Sequence, residues 1–180
     1  MKVFIFILFI SSFFLTVQSA QEDHLNNLFK QLKKTHNSKS ADLLEKKIWS
    51  VWNIHPNNIR LTERLEFGIE LMQYKNYYYA LKIFNNILLT DPEWSEAWNK
   101  RATVYFLMGK FTNSLNDIEK VLQLEPRHFG ALSGQAQIYI KLHEYEKAIK
   151  SLETALEFYP SFRSGELIFK IKKMIRKESI

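Results

Sequence analysis

The amino-acid sequence predicts an all-α protein, a right-handed α-solenoid of stacked helical hairpins. Only five glycines and four prolines occur among 180 residues, which argues against a β protein rich in tight turns. Three of the prolines lie 34 residues apart, at Pro92, Pro126 and Pro160. A 34-residue period is typical of a helix–turn–helix repeat, in which each copy buries its apolar face against its neighbours.

Six further columns of residues support this period, because residues 34 positions apart share size and polarity. The small columns let the two helices of one repeat approach closely, and the aromatic column fills the space between adjacent repeats. The columns are Gly68, Ala102, Ala136; Ala80, Ser114, Ala148; Tyr77, Phe111, Tyr145; Leu88, Leu122, Leu156; Phe84, Ile118, Leu152; and Leu71, Tyr105, Tyr139. Three segments that agree in six columns predict three repeats, at 61–94, 95–128 and 129–162.

The repeat register also predicts the helices and their ends. We expect helices at 62–73, 77–89, 93–108, 111–124, 127–142 and 145–158. Asp91 is expected to cap the helix that starts near residue 93, with Pro92 in its first turn. Gly109 follows a helix that ends near Met108, and predicts a left-handed C-terminal cap.

Residues 21–60 predict an N-terminal helical cap, a degenerate repeat outside the strict period. The segment holds two apolar patterns at helical spacing, with a turn at 37–40 between them and Ser40 as the N-cap of the second helix. A loop starting at His55 follows. The patterned residues are Leu25, Leu28, Phe29 and Leu32, then Leu44, Ile48, Val51 and Trp52.

Residues 163–180 predict a C-terminal capping helix, since an open last repeat would expose its apolar face. One side of this helix is apolar and the rest is basic. A basic amphipathic helix can also lie on an anionic membrane, so membrane contact remains an alternative, less favoured than the cap. The apolar set is Leu167, Ile171, Met174 and Ile175, and the basic set is Arg163, Lys170, Lys172, Lys173, Arg176 and Lys177.

The first twenty residues predict a secretory signal peptide. Lys2 is a short basic start, residues 3–17 are mainly apolar, and the small residues Ser19 and Ala20 precede polar sequence. The run is shorter than the roughly 20 residues of a spanning helix, so we expect cleavage after Ser19 or Ala20, with an uncleaved anchor as the alternative. Removing Lys2 leaves 24 basic and 19 acidic residues, a net charge of +5. We therefore expect an exported protein, periplasmic or secreted.

These features resemble the tetratricopeptide (TPR) repeat family over about residues 61–162. Within that family, residues 98–105 (WNKRATVY) and 124–132 (LEPRHFGAL) are similar to signal-peptide-bearing TPR proteins of alphaproteobacteria. The resemblance implies a TPR solenoid and a generic protein-binding role. It ties no defined reaction to the chain, and the mildly basic net charge does not by itself indicate nucleic acid.

The sequence offers little support for catalysis, and we expect no enzyme activity and no cofactor or metal. Without cysteine, a disulfide, a thiolate zinc site and a cysteine nucleophile are excluded. His143 and Glu144 begin like a zinc-protease helix, but Lys147 occupies the position of the second histidine ligand. His128, between two repeats, is expected to pack or to cap a helix. Most of the carboxylates are expected to be solvated on helix surfaces.

The TPR resemblance implies that the inner faces of the first helices of the repeats form a concave groove for a protein or peptide partner. The family's clamp for a peptide's terminal carboxylate uses cationic and amide side chains, but those positions hold Leu65, Ile69, Lys100, Gly130 and Gly134. The clamp is therefore expected to be absent, leaving a groove with an apolar stripe. Its candidate partner-binding residues are Leu65, Ile69, Met72, Asn99, Thr103, Phe106, Leu107, Ser133, Gln137 and Ile140.

Three functional hypotheses follow from these patterns. The leading one is an exported, non-catalytic scaffold that binds a peptide or partner helix in the groove. The first alternative is a membrane-apposed structural component of an envelope assembly, which would use the basic C-terminal helix. The second is the helical subunit of an envelope hydrolase complex. For the apolar stripe, the alternative to a ligand groove is a core covered by residues 21–60, in which case truncating Phe106 would destabilise the fold.

Overall fold

The structure is a computed structural model that describes residues 19–35, 37–162 and 164–178. All regular secondary structure in these ranges is helical, so the all-α prediction is confirmed. Residues 1–18 of the expected signal peptide lie outside the described residues. The described part of the chain divides into two compact units, one up to Glu63 and one from Arg64. The division lies within a helix, close to the predicted boundary at 60/61.

The first unit contains a helix over residues 19–34 (α1), helix α2 (Ser38–Asn53) and the start of α3 (Ile59–Gln73). The apolar pattern predicted for α1 and α2 is buried, except that Val51 is half-buried. The Phe29 and Trp52 rings lie 5.8 Å apart. Asn37, and not the expected Ser40, caps α2: its side chain accepts a hydrogen bond from the Ser40 N–H at 3.0 Å. The helix therefore begins before the predicted cap.

The second unit consists of helical hairpins that pack in chain order. Neighbouring helices contact each other from α4 to α9, and α5 also contacts α7. The predicted bounds agree to within three residues, the largest difference lying at the start of α3, where residue 62 was expected and Ile59 is observed. The helices after α3 are α4 (Tyr77–Thr90), α5 (Ser95–Leu107), α6 (Phe111–Leu124), α7 (Phe129–Lys141), α8 (Tyr145–Phe158) and α9 (Ser164–Glu178).

The small columns of the repeat lie where the two helices of each hairpin meet. Ala102 and Ala136 are buried, and a Cβ at Gly68 would lie 2.5 Å from the Phe84 ring. Ser114 adds a polar link, because its hydroxyl donates to the Ala102 carbonyl at 2.8 Å. The close approach inferred from residue size is thus confirmed, and in the second repeat a hydrogen bond joins α5 to α6.

The expectation that Asp91 caps α5 is wrong. The helix begins at Ser95, with Trp94 at the N-cap position. The Asp91 carboxylate instead accepts from the Glu93 N–H at 2.8 Å, closing a turn that contains Pro92. An Asp-Pro pair suits both a capped helix start and such a turn, which is why the sequence pattern misplaced the helix start by two residues.

The turns between the helices of each hairpin share one left-handed residue, as expected for Gly109. Lys75, Gly109 and His143, spaced 34 residues apart, have φ angles of 60°, 71° and 60°. A left-handed conformation costs an L-residue roughly 1–2 kcal/mol, whereas glycine adopts it freely. Only the second repeat has glycine at this left-handed position, and the other two repeats have Lys75 and His143 there.

Gly109→Ala is expected to lower the free energy of unfolding by about 1 kcal/mol. A Cβ at this position would meet none of the described atoms within 4 Å, so the loss would come from the backbone alone. The measurement is urea-induced unfolding followed by circular dichroism. Lys75→Gly is the opposite control and should raise stability. Wild-type stability for Gly109→Ala would contradict the left-handed turn.

The C-terminal helix α9 packs on α8 as a cap. Ile168 and Ile171 are buried in one cluster with Ala148 and Leu152, and Leu167 and Ile175 pack at its margin. Met174, expected on the packed side, is 40% exposed, and Ile168 contributes to the contact instead. The cap thus covers the apolar end of the last repeat.

Candidate functional site

A pocket of about 240 Å³ opens between α5, α6 and α7. Helices α5 and α7 are the first helices of successive repeats and contact each other directly, so the pocket lies where the TPR resemblance places a groove. Its walls are mostly apolar, with amide and hydroxyl groups among them. The lining residues are Asn99, Ala102, Thr103, Phe106, Leu107, Ser114, Ile118, Gly130, Ala131, Gly134 and Gln137.

The pocket is uncharged and is partly created by missing side chains. Gly130 and Gly134 line it one helical turn apart on α7. A Cβ at Gly134 would have one described atom within 4 Å, Ile118 Cδ1 at 3.8 Å, which is ordinary van der Waals contact. Lys100 does not line the pocket, and its ammonium group contacts the Glu96 carboxylate. No residue of this lining carries a positive charge that could form an ion pair with a ligand carboxylate.

The ten predicted partner-binding residues separate into those that line this pocket and those that do not. Asn99, Thr103, Phe106, Leu107 and Gln137 lie together in its lining. The other predicted residues do not line it: Leu65 is fully buried, Ile140 packs against the cluster of α7, α8 and α9, and Ile69, Met72 and Ser133 are partly buried. Full burial leaves the Leu65 side chain no surface for a ligand.

Phe106 is both a wall of the pocket and part of the core. Its side chain is half-buried against a cluster that includes Ala102 and Ile118, and its ring lies 5.9 Å from the Phe111 ring. Truncating Phe106 would therefore disturb packing as well as any ligand contact, so it does not separate binding from folding. The alternative that residues 21–60 cover the groove stays a prediction.

Beside the pocket, a buried polar cluster joins α5 to the start of α7. Glu96 and His128 are both fully buried, with His128 Nε2 at 2.9 Å from Glu96 Oε2. His128 Nδ1 accepts from the Ala131 N–H at 3.1 Å and caps α7. Because Nδ1 is an acceptor, the proton of the neutral ring lies on Nε2, which donates to Glu96. The capping role expected for His128 is confirmed.

The cluster also holds Asn99, one of the pocket residues, and keeps Glu96 ionised. The Asn99 amide donates to Glu96 Oε2 at 3.1 Å. Burial by itself would raise the pKa of Glu96, but Lys100 and His128 outweigh that effect and lower it. Glu96, Asp117 and Glu125 are exceptions to the expected solvation of most carboxylates, because they are buried.

A second polar group, around Arg101, links α4, α5 and α6. The guanidinium donates to both Asp117 oxygens, at 2.8 and 2.7 Å, and to Asn85 at 2.8 Å. It also lies 4.6 Å from the centre of the Trp98 ring. Bidentate pairing and stacking of this kind hold neighbouring helices in register, so we assign it a structural role.

A partial sequence signal existed for the second of these clusters, since its columns hold polar residues in the second and third repeats but Phe67 and Ile83 in the first. In the third repeat, Ser151 donates to Gln135 at 2.7 Å, across the same 16-residue spacing as Arg101 and Asp117. The two pairs occupy matching columns. Glu96 and His128 had no such signal, because their columns hold unlike residues in the other repeats, among them Thr62 and Phe162.

The described residues hold neither a metal-binding cluster nor a membrane-spanning helix. Across 19–35, 37–162 and 164–178, no group of three or more His, Asp or Glu side chains could hold a metal ion. In the same ranges, each helix is too short or too polar to cross a membrane.

The stack of helical hairpins defines a helical repeat protein. A family model described as anaphase-promoting complex, cyclosome, subunit 3 matches residues 73–155. A TPR repeat-containing protein of Rhizobium etli is 32% identical over 148 residues, covering 82% of this chain and 72% of that protein. The chain belongs to the TPR repeat-containing proteins.

More distant similarities agree on the fold. The Hsp70-Hsp90 organizing protein of Triticum aestivum is 25% identical over 115 residues, which is 64% of this chain but only 19% of that protein. Two solved structures align with TM-scores of 0.62 and 0.58. The first is the first TPR of Spaghetti (RPAP3) bound to an HSP90 peptide, at 23% identity, with 68% of this chain and 98% of that chain covered. The second is the Yersinia enterocolitica secretion chaperone SycD with a YopD peptide, at 16% identity, with 67% of this chain and 93% of that chain covered. At these identities the likeness extends to the fold alone.

Proposed function

We propose that this chain is an exported, non-catalytic scaffold that binds an uncharged stretch of a peptide or partner helix in the groove between α5 and α7. The observation that carries the proposal is the pocket itself, which is uncharged, mainly apolar and edged by amide and hydroxyl groups. Such a lining suits an apolar side chain flanked by peptide groups that form hydrogen bonds.

The size of the pocket favours one side chain of a longer ligand. Its volume of about 240 Å³ lies below the roughly 300–1,000 Å³ of small-molecule sites. Burying one large apolar side chain contributes only about 1.5–3 kcal/mol, too little for stable binding. Further contacts along the groove are needed, and a peptide or helix supplies them.

The structural relatives support a peptide as the ligand, but one of their peptides is acidic, whereas the pocket of this chain suits a neutral segment. The Spaghetti TPR is bound to the HSP90 peptide SRMEEVD, and SycD to a peptide of YopD. The first peptide holds three acidic residues among seven, whereas no charged residue lines the pocket here. We therefore infer that this chain binds through an internal, neutral segment of its partner.

The decisive variant for the groove is Gly134→Leu, which fills the pocket from α7. The first atoms of the new side chain meet only ordinary contact, and removing a helical glycine adds up to about 1 kcal/mol of helix stability. We expect an unchanged or higher melting temperature together with loss of ligand binding. The probes are neutral peptides selected by the wild-type chain from a random display library, with affinities measured by fluorescence polarisation.

Thr112→Leu is the matched control, since Thr112 is exposed on α6 and does not line the pocket. This variant should bind the selected peptides as the wild type does. The groove proposal fails if no peptides are enriched, or if the enriched peptides bind Gly134→Leu and the wild type equally. Selection of acidic peptides would contradict the neutral-ligand part of the proposal.

Export is tested at the N-terminus of the native protein. The apolar run at 3–17 followed by Ser19 and Ala20 supports cleavage, so mass spectrometry should find a mature chain starting at Ala20 or Gln21. The comparison is the same chain made without any export machinery, which should retain its first residues. Finding Met1 or Lys2 on the native protein in the membrane fraction would contradict cleavage.

A further inference from the structure

The outer face of α9 carries an exposed patch that is both basic and aromatic. Its buried residues Ile168 and Ile171 face α8. On its remaining surface Lys170, Lys172, Lys173 and Arg176 are exposed. Among the described residues none of these four cations pairs with a carboxylate. The cap function uses the apolar face of α9 and leaves this cationic face to solvent.

An aromatic side chain projects from the same face. Phe169 is 71% exposed, beside Lys170 and one turn before Lys173. Exposing a large aromatic side chain forgoes the stabilisation that burial would provide, and repeat packing does not require it here. The exposed acidic residue Glu166 lies in the first turn of the helix, ahead of the cationic stretch.

We propose that this outer face of α9 binds the surface of a bilayer that contains anionic phospholipids. Charge complementarity carries the proposal, since basic residues near an anionic bilayer are attracted to its headgroups. The four cations lie within the seven residues 170–176, about 9 Å of helix from the first to the last. Phe169 can insert at the boundary between headgroups and acyl chains, where amphipathic helices place their aromatic residues.

An acidic protein partner fits this surface less well. Stable protein interfaces bury roughly 800 Å² on each partner and have a packed core depleted in charge. The outer face of α9 is one helix wide, and lysine and arginine surround its single aromatic side chain, Phe169. A bilayer needs no matching shape, and binding leaves the contact of α9 with α8 intact. The proposal is independent of the groove, because none of the pocket residues lies on α9.

The test is flotation of the full chain with vesicles of phosphatidylcholine, either alone or with about one third phosphatidylglycerol. The apolar residues 3–17 could bind both vesicle types, so the measured quantity is the excess binding on anionic vesicles. We expect an excess of about tenfold or more. It should disappear when the salt concentration rises from about 0.1 to 1 M, which shortens the Debye length from about 10 to 3 Å.

Two variants that each lose four positive charges test whether the binding to anionic vesicles depends on α9. Replacing Lys170, Lys172, Lys173 and Arg176 by glutamine should remove the anionic excess. Replacing Lys82, Lys110, Lys120 and Lys150, exposed on other helices or turns, should preserve most of it. Phe169→Ser should weaken binding to anionic vesicles without changing its salt dependence. Unchanged melting temperatures show that each variant is folded.

Three outcomes would overturn the proposal. The first is equal binding of the wild type to both vesicle types. The second is an equal loss of binding to anionic vesicles in the two variants that each carry four substitutions, which would show an effect of net charge alone. The third is tight binding to polyglutamate that survives Phe169→Ser, combined with no preference for anionic vesicles. That result would assign the face to an acidic protein instead.

Discussion

His128→Ala is expected to lower the free energy of unfolding by about 3–5 kcal/mol, because it removes a hydrogen bond to a buried carboxylate, about 1.5–3 kcal/mol, removes a helix N-cap, about 1 kcal/mol, and leaves a cavity. The ring has two roles in the structure. Its Nδ1 caps α7 through Ala131, and its Nε2 hydrogen bonds to Glu96. The substitution would leave the Glu96 carboxylate buried with one strong donor fewer, and would add a cavity at a fully buried position.

His128→Asn separates these two roles. Asparagine is a good N-cap residue, but its shorter side chain places no ring nitrogen beside Glu96. We expect this variant to recover the capping contribution, about 1 kcal/mol, and to retain the rest of the loss. Both variants are compared by chemical unfolding at neutral pH, where Glu96 is ionised because its pKa is lowered.

Replacement of the exposed His24 by alanine is the matched control, and should change stability by less than about 0.5 kcal/mol. If His128→Ala lowered the free energy of unfolding no more than that control, the buried contact between Glu96 on α5 and His128 at the start of α7 would be contradicted. If His128→Asn were as unstable as His128→Ala, the cap would contribute nothing measurable. Each outcome tests a different contact of the same ring.

The repeat core could be predicted from sequence because the same contact between two helices recurs in every repeat. The small column at Gly68, Ala102 and Ala136 recurs wherever two helices of a hairpin meet, so its identity survives comparison across three segments. The left-handed turn at Gly109 was also predictable, since glycine after a helix has few other uses. These features are local and periodic.

The candidate site was only partly predictable, because it depends on features that occur once. Glu96 and His128 meet 32 residues apart at a single junction, and no column repeats them. The pocket arises where Gly130 and Gly134 lack side chains, and its volume depends on how closely α5, α6 and α7 approach. Burial of Leu65 likewise depends on the three-dimensional arrangement, which an apolar residue on the expected inner face does not reveal.

Gly68→Ala is expected to destabilise the fold by roughly 1–3 kcal/mol, as overpacking of a filled core does. The added methyl group would lie 2.5 Å from Phe84 Cε1 and 2.8 Å from Cζ. Phe84 is fully buried, so its ring has no solvent to move into. Helix propensity acts in the opposite direction by up to about 1 kcal/mol, and a net loss therefore means that the steric effect dominates.

Gly134→Ala is the matched control for this change, because the same methyl group is added within a first helix of a repeat. Its nearest described neighbour would be Ile118 Cδ1 at 3.8 Å, so only the gain in helix propensity remains. Chemical unfolding should show opposite shifts for the two alanines. Phe84→Leu, combined with Gly68→Ala, should recover part of the loss by shortening the opposing side chain. Equal shifts for the two alanines would contradict close packing at Gly68 and, with it, the repeat register.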